Sequence, residues 1–323
     1  MKIAITLGTD SERVGAEHSR SLPTLLTAAG HDVVVYLLGG APLPGSRTAS
    51  KHVVAIAGTD GELVDGLECA WRLDPPDVVH AHTWPIGLFA QLAAVRCGLP
   101  TVQTFHGTSP TGAQAGLAAQ VLRMATWVTV DSNQELETVA RLRHSRGRIS
   151  VVTDGIDVDL VSPTPPAAAG TEPLIVGLPG TDDRDPGFGV VVHALARIAG
   201  TPHFLGLARP AQLEQLRVCE RLAAALGLQD RVRLEVVDTA ADVGRHLALA
   251  DIATCTAVSA TDHSSVLQAM AAGIPLVAND IGVHSDTVID DVTGFLVPSG
   301  QPGPLAKALK SLIAQPFLRQ SMG

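Results

Sequence analysis

The chain alternates short apolar runs rich in Val and Ile with Ala- and Leu-rich segments of helical length. In the first half the strand-like runs are KIAITL, DVVVYLL, VVAIA, DVVHAH, TVQTFH, WVTVDS and ISVVTDG, and PTLLTAAG and GLFAQLAAVRCG are helical stretches between them. Continuous apolar strands separated by helices are typical of a parallel sheet covered on both faces. The pattern therefore predicts a doubly wound α/β domain.

A second series of strands and helices follows a segment rich in Pro and Ala. This segment, VSPTPPAAAGTEP, covers residues 161–173, and the new series runs from LIVGL through HFLGLA, QLEQLRVCERLAAALG, RVRLEVVD, DVGRHLALA, DIATCTA, SSVLQAMAAG, IPLVAND and GFLVPSG. The 323 residues suit two domains, since ordinary domains have about 150 residues each. We expect Rossmann-like domains at 1–162 and 163–323 that face a central cleft, with ligands at the carboxyl ends of the strands.

Composition restricts the partners. The net charge is −9 and the Lys and Arg residues are scattered, so a nucleic-acid partner is not expected. The widely spaced cysteines match neither a CxxC metal site nor a disulfide framework, which favours reduced thiols in a cytosolic setting; they are Cys69, Cys97, Cys219 and Cys255. No segment reaches the apolar length of a membrane span, and MKIAITLG is too short for a signal-peptide core. Residues 111–124 carry little positive charge, which gives little support to peripheral membrane contact. We expect a soluble, cytoplasmic protein.

Histidines end two predicted strands of the first half. His106 follows TVQTF, where an imidazole can carry a proton or donate a hydrogen bond to a sugar hydroxyl or phosphate. The alternative is a histidine satisfied by nearby backbone groups. His80 and His82 have the spacing that places both rings on one face of a strand, but no third ligand of matching spacing follows, so no metal site is expected.

Two loops that follow strands are further candidates. Gly15 and His18 lie between the first strand and its helix, where a helix N-terminus can receive an anion or a polar ligand, although a plain connection explains them equally well. Asp183 and Asp185 form a DxD arrangement, which some metal-dependent sugar transferases use and which a surface acidic loop also explains. Arg184 is the cation in that loop that can meet a phosphate.

The stretch ATDHSSVLQAMAAGIPLVAND, residues 260–280, places a helix N-terminus after a strand. Ser264 or Ser265 is predicted to cap a helix that Gly273 ends, and the backbone amides near His263 could hold a diphosphate without a metal. Ser265 and Gln268 also match a capping box, in which Gln268 only satisfies a backbone amide. Walker, GxSxG and HExxH motifs are absent from the sequence, which excludes the commonest nucleotide hydrolases, serine hydrolases and zinc proteases.

Taken together, these strings resemble the family 4 retaining glycosyltransferases of the GT-B fold. The similar segments run in order from DVVHAHTWPIGLFAQLAA through GLPTVQTFHGT, VTVDSNQELETVARL and RISVVTDGIDVDLVSP to VLQAMAAGIPLVANDIGVHSDTVIDDVTGFLVPSGQPGPLAKAL. The resemblance implies two Rossmann-like domains, a nucleotide-sugar donor on the C-terminal domain, an acceptor on the N-terminal domain, and no metal or other cofactor. It also implies a C-terminal helix that crosses back to the N-terminal domain, so a chain that stops at LRQSMG lacks this helix or is truncated.

The family's site residues correspond unevenly to this sequence. Gly15 and His18 fall in its glycine-rich acceptor loop, although one glycine stands where two are usual, and His106 matches its histidine beside the donor sugar. The Arg and Lys with which the family neutralises the diphosphate correspond to Leu178 and Pro186. Arg184 and Arg209 are the cations that could substitute from displaced positions.

The family's Glu-x7-Glu motif corresponds to Ala260 and Gln268. In the family the first glutamate binds hydroxyls of the donor sugar and the second binds the nucleotide ribose. Gln268 still offers a hydrogen-bond donor and acceptor for a ribose, whereas Ala260 offers neither.

We therefore expect a metal-independent, retaining glycosyltransferase that moves a hexose from a nucleoside diphosphate sugar to a small-molecule or lipid-linked acceptor. His106 would serve the sugar, residues 263–265 the diphosphate and Gln268 the ribose. The alternative is a catalytically impaired GT-B homologue that binds a nucleotide or a partner protein. A sugar-nucleotide epimerase or a phosphorylase is a third interpretation, but the sequence shows no basic phosphate pocket for a phosphorylase.

Overall fold

The computed structural model describes residues 1–8, 16–39, 52–105, 113–156, 158, 173–180, 186–200, 202–258 and 264–323. The chain divides into two compact units, Met1–Thr153 and Asp154–Gly323. Because residues 159–172 lie outside the described part, a domain boundary at residue 162 stays a prediction.

Unit one contains a seven-stranded parallel sheet in the order β3-β2-β1-β4-β5-β6-β7. The strands are β1 (Lys2–Gly8), β2 (Asp32–Leu38), β3 (His52–Ile56), β4 (Val78–His82), β5 (Thr101–Phe105), β6 (Trp127–Val130) and β7 (Ile149–Val151). The helices are α1 (Ala16–Ala28), α2 (Asp60–Leu73), α3 (Trp84–Cys97), α4 (Ala113–Met124) and α5 (Asn133–Arg143). All seven predicted strands are confirmed, and α1 begins seven residues before the predicted start at Pro23 and includes that proline.

Strand alternation divides the core of unit one between the two faces of its sheet. Ile3, Ile5 and Leu7 pack on the face where Leu22 and Leu26 of α1 lie. The other face packs against α2, α3, α4 and α5 in two larger clusters. Helices therefore lie on both faces of the sheet, as the continuous apolar strands predict.

Unit two contains a six-stranded parallel sheet in the order β10-β9-β8-β11-β12-β13. The strands are β8 (Leu174–Gly177), β9 (His203–Ala208), β10 (Val232–Val236), β11 (Ile252–Cys255), β12 (Leu276–Asn279) and β13 (Gly294–Val297). The helices are α6 (Phe188–Leu195), α7 (Leu213–Ala225), α8 (Ala240–Leu247), α9 (Ser264–Ala271), α10 (Gly282–Thr287), α11 (Pro302–Ala314) and α12 (Pro316–Met322), with a 3-10 turn at Pro210–Gln212.

Close packing in unit two explains the glycine that ends β8. Phe188 and Phe204 meet edge to face with ring centroids 5.5 Å apart. A Cβ atom at Gly177 would lie 2.6 Å from the Phe204 ring and 2.8 Å from the Phe188 ring. The space above the sheet is filled by these aromatic rings, so β8 approaches α6 closely only without a side chain at this position.

In both sheets the strand order reverses once, between β1 and β4 in unit one and between β8 and β11 in unit two. Crossovers run in opposite directions from such a point, which leaves a crevice at the carboxyl ends of the two strands where ligands bind in doubly wound folds. None of the described helices is long and apolar enough to cross a membrane.

Candidate functional site

The crevice of unit two is formed by the loops that follow β8 and β11. A Cβ atom at Gly180 would lie 2.9 Å from the Cβ atom of Ala257, so the two loops touch at this glycine. The first turn of α9 joins them because the Ser265 hydroxyl donates a 3.5 Å hydrogen bond to the carbonyl of Pro179. Residues far apart in sequence thus converge at the carboxyl edge of the sheet.

A buried amide holds the loop after β11. Asn279, which is 2 % exposed at the end of β12, donates hydrogen bonds from Nδ2 to the carbonyls of Thr256 at 2.9 Å and Ala257 at 3.0 Å. The Asn279 Nδ2 atom also lies 3.2 Å from the Ser299 hydroxyl. Sequence reasoning missed this residue, although an amide at the end of the apolar run IPLVAN is a usable signal because buried amides need partners.

Gly187 fixes the other side of the crevice. It is the residue before α6 and has φ +77°, and a Cβ atom there would lie 1.7 Å from the carbonyl oxygen of Thr256. The Thr256 hydroxyl in turn lies 3.4 Å from the carbonyl of Pro186. The loop before α6 and the loop after β11 are therefore in contact along their backbones, which only glycine permits.

The predictions that Ser264 or Ser265 caps α9 and that Ser265 forms a capping box with Gln268 are both wrong. Because the helix begins at Ser264, the N-cap position is residue 263, and neither Ser264 nor Ser265 occupies it. The Ser265 side chain is buried and bonds to Pro179 rather than capping its own helix, so a capping box between Ser265 and Gln268 is not formed. Gln268 is half-buried one turn later, and Gly273 follows the helix with φ +69°, as predicted for a C-terminal stop.

Position 178, where the family has an arginine, is buried in this structure. The Leu178 side chain is 1 % exposed and packs in an apolar cluster with Val176 and Ala253. Its backbone N–H donates to the carbonyl of Thr254 at 2.8 Å, which extends the pairing of β8 with β11. A cation at position 178 would be buried among apolar side chains, which is costly without a partner.

Of the two arginines that could replace the family's cations, Arg184 and Arg209, only Arg209 lies in the described part of the chain. It follows β9 and precedes the 3-10 turn at Pro210–Gln212, and its side chain is half-buried. Its backbone N–H donates to Oε1 of the fully buried Gln212 at 2.9 Å. The Nε2 atom of Gln212 lies 3.9 Å from the Cβ position of Gly180, so this turn adjoins the same crevice.

Several sequence-predicted residues lie outside the described part of the chain. These are Gly15, His106, Asp183, Arg184, Asp185, Ala260 and His263. His18 lies in the first turn of α1, where only its backbone is described. The predicted roles of these residues stay predictions.

The carboxyl edge of unit one brings the two strand histidines together. The ring centroids of His80 and His82 lie 4.3 Å apart, which confirms that both side chains occupy one face of β4. His80 Nε2 lies 2.6 Å from the Thr104 hydroxyl, which lies 2.7 Å from the Thr129 hydroxyl. Across the described ranges, no three His, Cys, Asp or Glu side chains are grouped closely enough to hold a metal ion.

Thr83, directly after β4, has an uncommon backbone conformation, with φ 62° and ψ 147°. Its carbonyl accepts hydrogen bonds from Gly87 N–H at 3.0 Å and from Gln103 Nε2 at 3.0 Å. A β-branched residue at positive φ is strained, and such strain persists only where surrounding bonds maintain it. Sequence reasoning did not identify Thr83, because no local pattern reports a positive φ at a threonine.

Two family models match the chain. The model described as "Glycosyl transferase 4-like domain" matches residues 15–155, and the one described as "Glycosyl transferases group 1" matches residues 192–323. Together they cover most of both units.

Curated relatives include two kinds of enzyme. The chain is 27 % identical over 300 residues to a D-inositol 3-phosphate glycosyltransferase of Streptomyces avermitilis, covering 80 % of this chain and 63 % of that protein. It is 27 % identical over 330 residues to an alpha-maltose-1-phosphate synthase of Mycobacterium tuberculosis, covering 88 % of this chain and 82 % of that protein. The chain thus spans less than two thirds of the Streptomyces relative.

Similar solved structures include a sucrose-phosphate synthase from Thermosynechococcus elongatus, with a TM-score of 0.82, 20 % identity and coverage of 100 % of this chain and 92 % of that one. Anabaena HepE in complex with UDP gives a TM-score of 0.82 at 18 % identity, with coverage of 100 % and 92 %. At these identities the likeness establishes the fold alone.

Proposed function

This chain belongs to the GT4-type glycosyltransferases of the GT-B fold, and we propose that it is a retaining, metal-independent hexosyltransferase. The donor would be a nucleoside diphosphate sugar bound by unit two, and the acceptor a small or lipid-linked molecule bound by unit one. The proposal includes a cytoplasmic location, in keeping with four cysteines that form no disulfide bond.

The observation that carries this proposal is the convergence at the crevice of unit two. The loops after β8 and β11 touch at Gly180, and the first turn of α9 bonds to Pro179. A helix N-terminus that meets two strand ends at a reversal of strand order is an anion site in doubly wound folds. Backbone amides there would stabilise the departing diphosphate, which is the charge that a glycosyl transfer develops.

Other residues complete the proposed site. Gln268, half-buried on α9, would hydrogen-bond the ribose, and His263, Ser264 and Ser265 would face the diphosphate. Arg184 would approach the same phosphates. His106 would serve the donor sugar, and the loop and helix start that contain Gly15 and His18 would hold the acceptor. Partial positive charge at the helix N-terminus offsets the phosphate charge, so the proposal needs no metal.

One observation favours the alternative of a catalytically impaired homologue. Leu178, at the position where the family has an arginine, is buried in the apolar cluster of its sheet face. Loss of a preorganised cation at a site of developing charge costs about 3 kcal/mol of transition-state stabilisation. An impaired protein would bind a nucleotide without turning over, or act through a partner protein.

Nucleotide binding to the purified chain tests the donor site. Calorimetry and thermal melting with UDP, ADP, GDP and their glucose esters should identify one base that binds and raises the melting temperature. Gln268→Ala should weaken that binding about five- to tenfold through loss of a neutral hydrogen bond. Gln320→Ala, at an exposed residue of α12, is the matched control and should leave binding unchanged.

Three outcomes separate the two functions. Binding followed by transfer to an acceptor panel, with the donor's anomeric configuration kept in the product by NMR and full activity in EDTA, supports the hexosyltransferase. Binding with no sugar transfer or donor hydrolysis supports the impaired homologue. An absence of binding at millimolar nucleotide excludes a functional donor site.

A further inference from the structure

We infer that Arg209 binds the diphosphate of the donor and replaces the cations that the family carries after β8. This inference rests on the proposed function of unit two and adds to it a charged group from a different strand. It follows from the register of β8 and β9, from the anchoring of the arginine, and from its lack of an acidic partner within the described ranges.

The register places Arg209 beside the crevice. β8 and β9 are parallel, and Gly177 pairs with Gly206. Gly180 and Arg209 each lie three residues beyond this pair, so both follow the carboxyl ends of adjacent strands, which lie about 5 Å apart in a sheet. The 3.9 Å approach of Gln212 Nε2 to the Cβ position of Gly180 confirms that the two loops adjoin.

The backbone of Arg209 is held rigidly. Its N–H donates to Oε1 of Gln212 at 2.9 Å, and Gln212 has no exposed surface. The residue after Arg209 is Pro210, whose ring fixes its own φ and restricts the backbone of the residue before it. The chain then passes through the 3-10 turn into α7. A guanidinium group attached to a fixed backbone loses less conformational entropy on binding a ligand than one attached to a mobile loop.

The charge of Arg209 is available for a ligand. In the described part of the chain its guanidinium forms no ion pair, including with Asp238, two residues after the neighbouring β10. Two other arginines of this unit do form ion pairs: Arg217 pairs with Glu214, and Arg245 pairs with Asp242. A half-buried arginine without a carboxylate suits phosphate, which it binds with two parallel hydrogen bonds.

A further cation would add to the charge that the crevice presents to a diphosphate. The positions that correspond to the family's two cations are the buried Leu178 and Pro186, which supply none. Backbone amides at α9 supply only partial charge, equivalent to roughly half an elementary charge. A full positive charge from a neighbouring strand would add to this partial charge and to that of Arg184, and Arg209 follows β9 at the same edge of the sheet.

The test compares each nucleoside diphosphate with its nucleoside: UDP with uridine, ADP with adenosine and GDP with guanosine. The ratio of their dissociation constants isolates binding of the diphosphate from binding of the base. Arg209→Ala should reduce this ratio about ten- to hundredfold, as expected when a charged hydrogen bond is removed, and Arg209→Lys should restore part of it. Arg217→Ala removes an exposed, ion-paired arginine from α7 of the same unit and should leave the ratio unchanged.

Each outcome decides one question. A reduced ratio in Arg209→Ala with unchanged nucleoside affinity supports the inference. An unchanged ratio overturns it, and if the melting temperature also falls, Arg209 has a structural role. If no nucleoside diphosphate binds the unsubstituted chain, the proposed donor site is wrong, and the inference that rests on it is overturned with it. Equal losses for diphosphate and nucleoside would show that Arg209 contacts the base or ribose, which also overturns the inference.

Discussion

At the scale of single residues, Gly187 combines a positive φ with a close contact. Its φ is +77°, and a Cβ atom would lie 1.7 Å from the Thr256 carbonyl oxygen. Gly200, in the same unit, has φ +95° with no atom within 4 Å of its Cβ position. Substitution of Gly200 therefore measures the free energy of the backbone conformation alone. Substitution of Gly187 also measures the steric clash with the Thr256 carbonyl.

We predict that Gly200→Ala costs about 1–2 kcal/mol of unfolding free energy, which is the penalty for an L-residue in the left-handed region. Gly187→Ala should cost about 3 kcal/mol or more, because the loop after β11 must also move. Urea denaturation of both variants measures the difference. Equal costs would show that the crevice loops adjust without strain.

Thr83 gives a second prediction at this scale, with the opposite sign. Thr83→Gly should raise the unfolding free energy by about 1 kcal/mol, since relief of about 1–3 kcal/mol of backbone strain exceeds the extra freedom of glycine in the unfolded chain. Thr153→Gly, at an exposed residue of the same unit without a positive φ, should lower it. Destabilisation by Thr83→Gly would mean that the threonine side chain contributes more than its backbone costs.

At the scale of elements, acidic capping boxes begin two helices. Glu62 Oε2 accepts from the Thr59 N–H at 2.6 Å and from its hydroxyl at 2.8 Å at the start of α2. These two bonds hold the pKa of Glu62 below its usual value of 4.5. At the start of α8, hydrogen bonds from Thr239 lower the pKa of Asp242 in the same way. Each carboxylate satisfies amide groups that the helix itself leaves free.

A lowered pKa in the folded state fixes the sign of the pH dependence. The contribution of the Glu62 carboxylate is fully present above pH 4.5 and is lost as the pH falls through the lower folded value. Glu62→Gln should therefore reduce stability at pH 7 and make little difference at pH 3. Glu220→Gln, an exposed site within α7 that caps no helix, controls for the removal of one charge. Denaturation curves at both pH values check this, and an equal difference at pH 3 and 7 would contradict it.

At the scale of the whole molecule, each unit completes its own core. The described apolar clusters each draw their residues from one unit. All three tryptophans, Trp71, Trp84 and Trp127, and the single tyrosine, Tyr36, belong to unit one. Tryptophan fluorescence therefore reports on unit one, whereas far-ultraviolet circular dichroism reports on the helices and strands of both.

We predict that unfolding followed by these two signals gives different transitions. Gly187→Ala should lower the midpoint of one component of the dichroism and leave the fluorescence midpoint unchanged, because the substitution lies in unit two. A bound nucleoside diphosphate should raise the same component. A single transition, shifted equally in both signals, would show that the units unfold together.

The sequence by itself determined the fold class and the family. Apolar runs such as DVVVYLL and IPLVA have the length of strands and are apolar almost throughout, which predicts strands buried on both faces. Because these runs alternate with helical segments, a parallel, doubly wound sheet is the arrangement that buries them. Gly273 as the end of α9 and the shared face of His80 and His82 were also predicted correctly, since both depend on local geometry.

Only the tertiary structure decided which residues shape the crevice. Gly187, Asn279 and Gly180 act through the loop after β11, and no spacing in the sequence reports contacts across 22 to 77 positions. The Ser265 hydroxyl was misassigned because a local cap competes with a bond to Pro179 that exists only after folding. The burial of Leu178 and the approach of the turn after Arg209 to Gly180 depend on the pairing of strands that are distant in sequence.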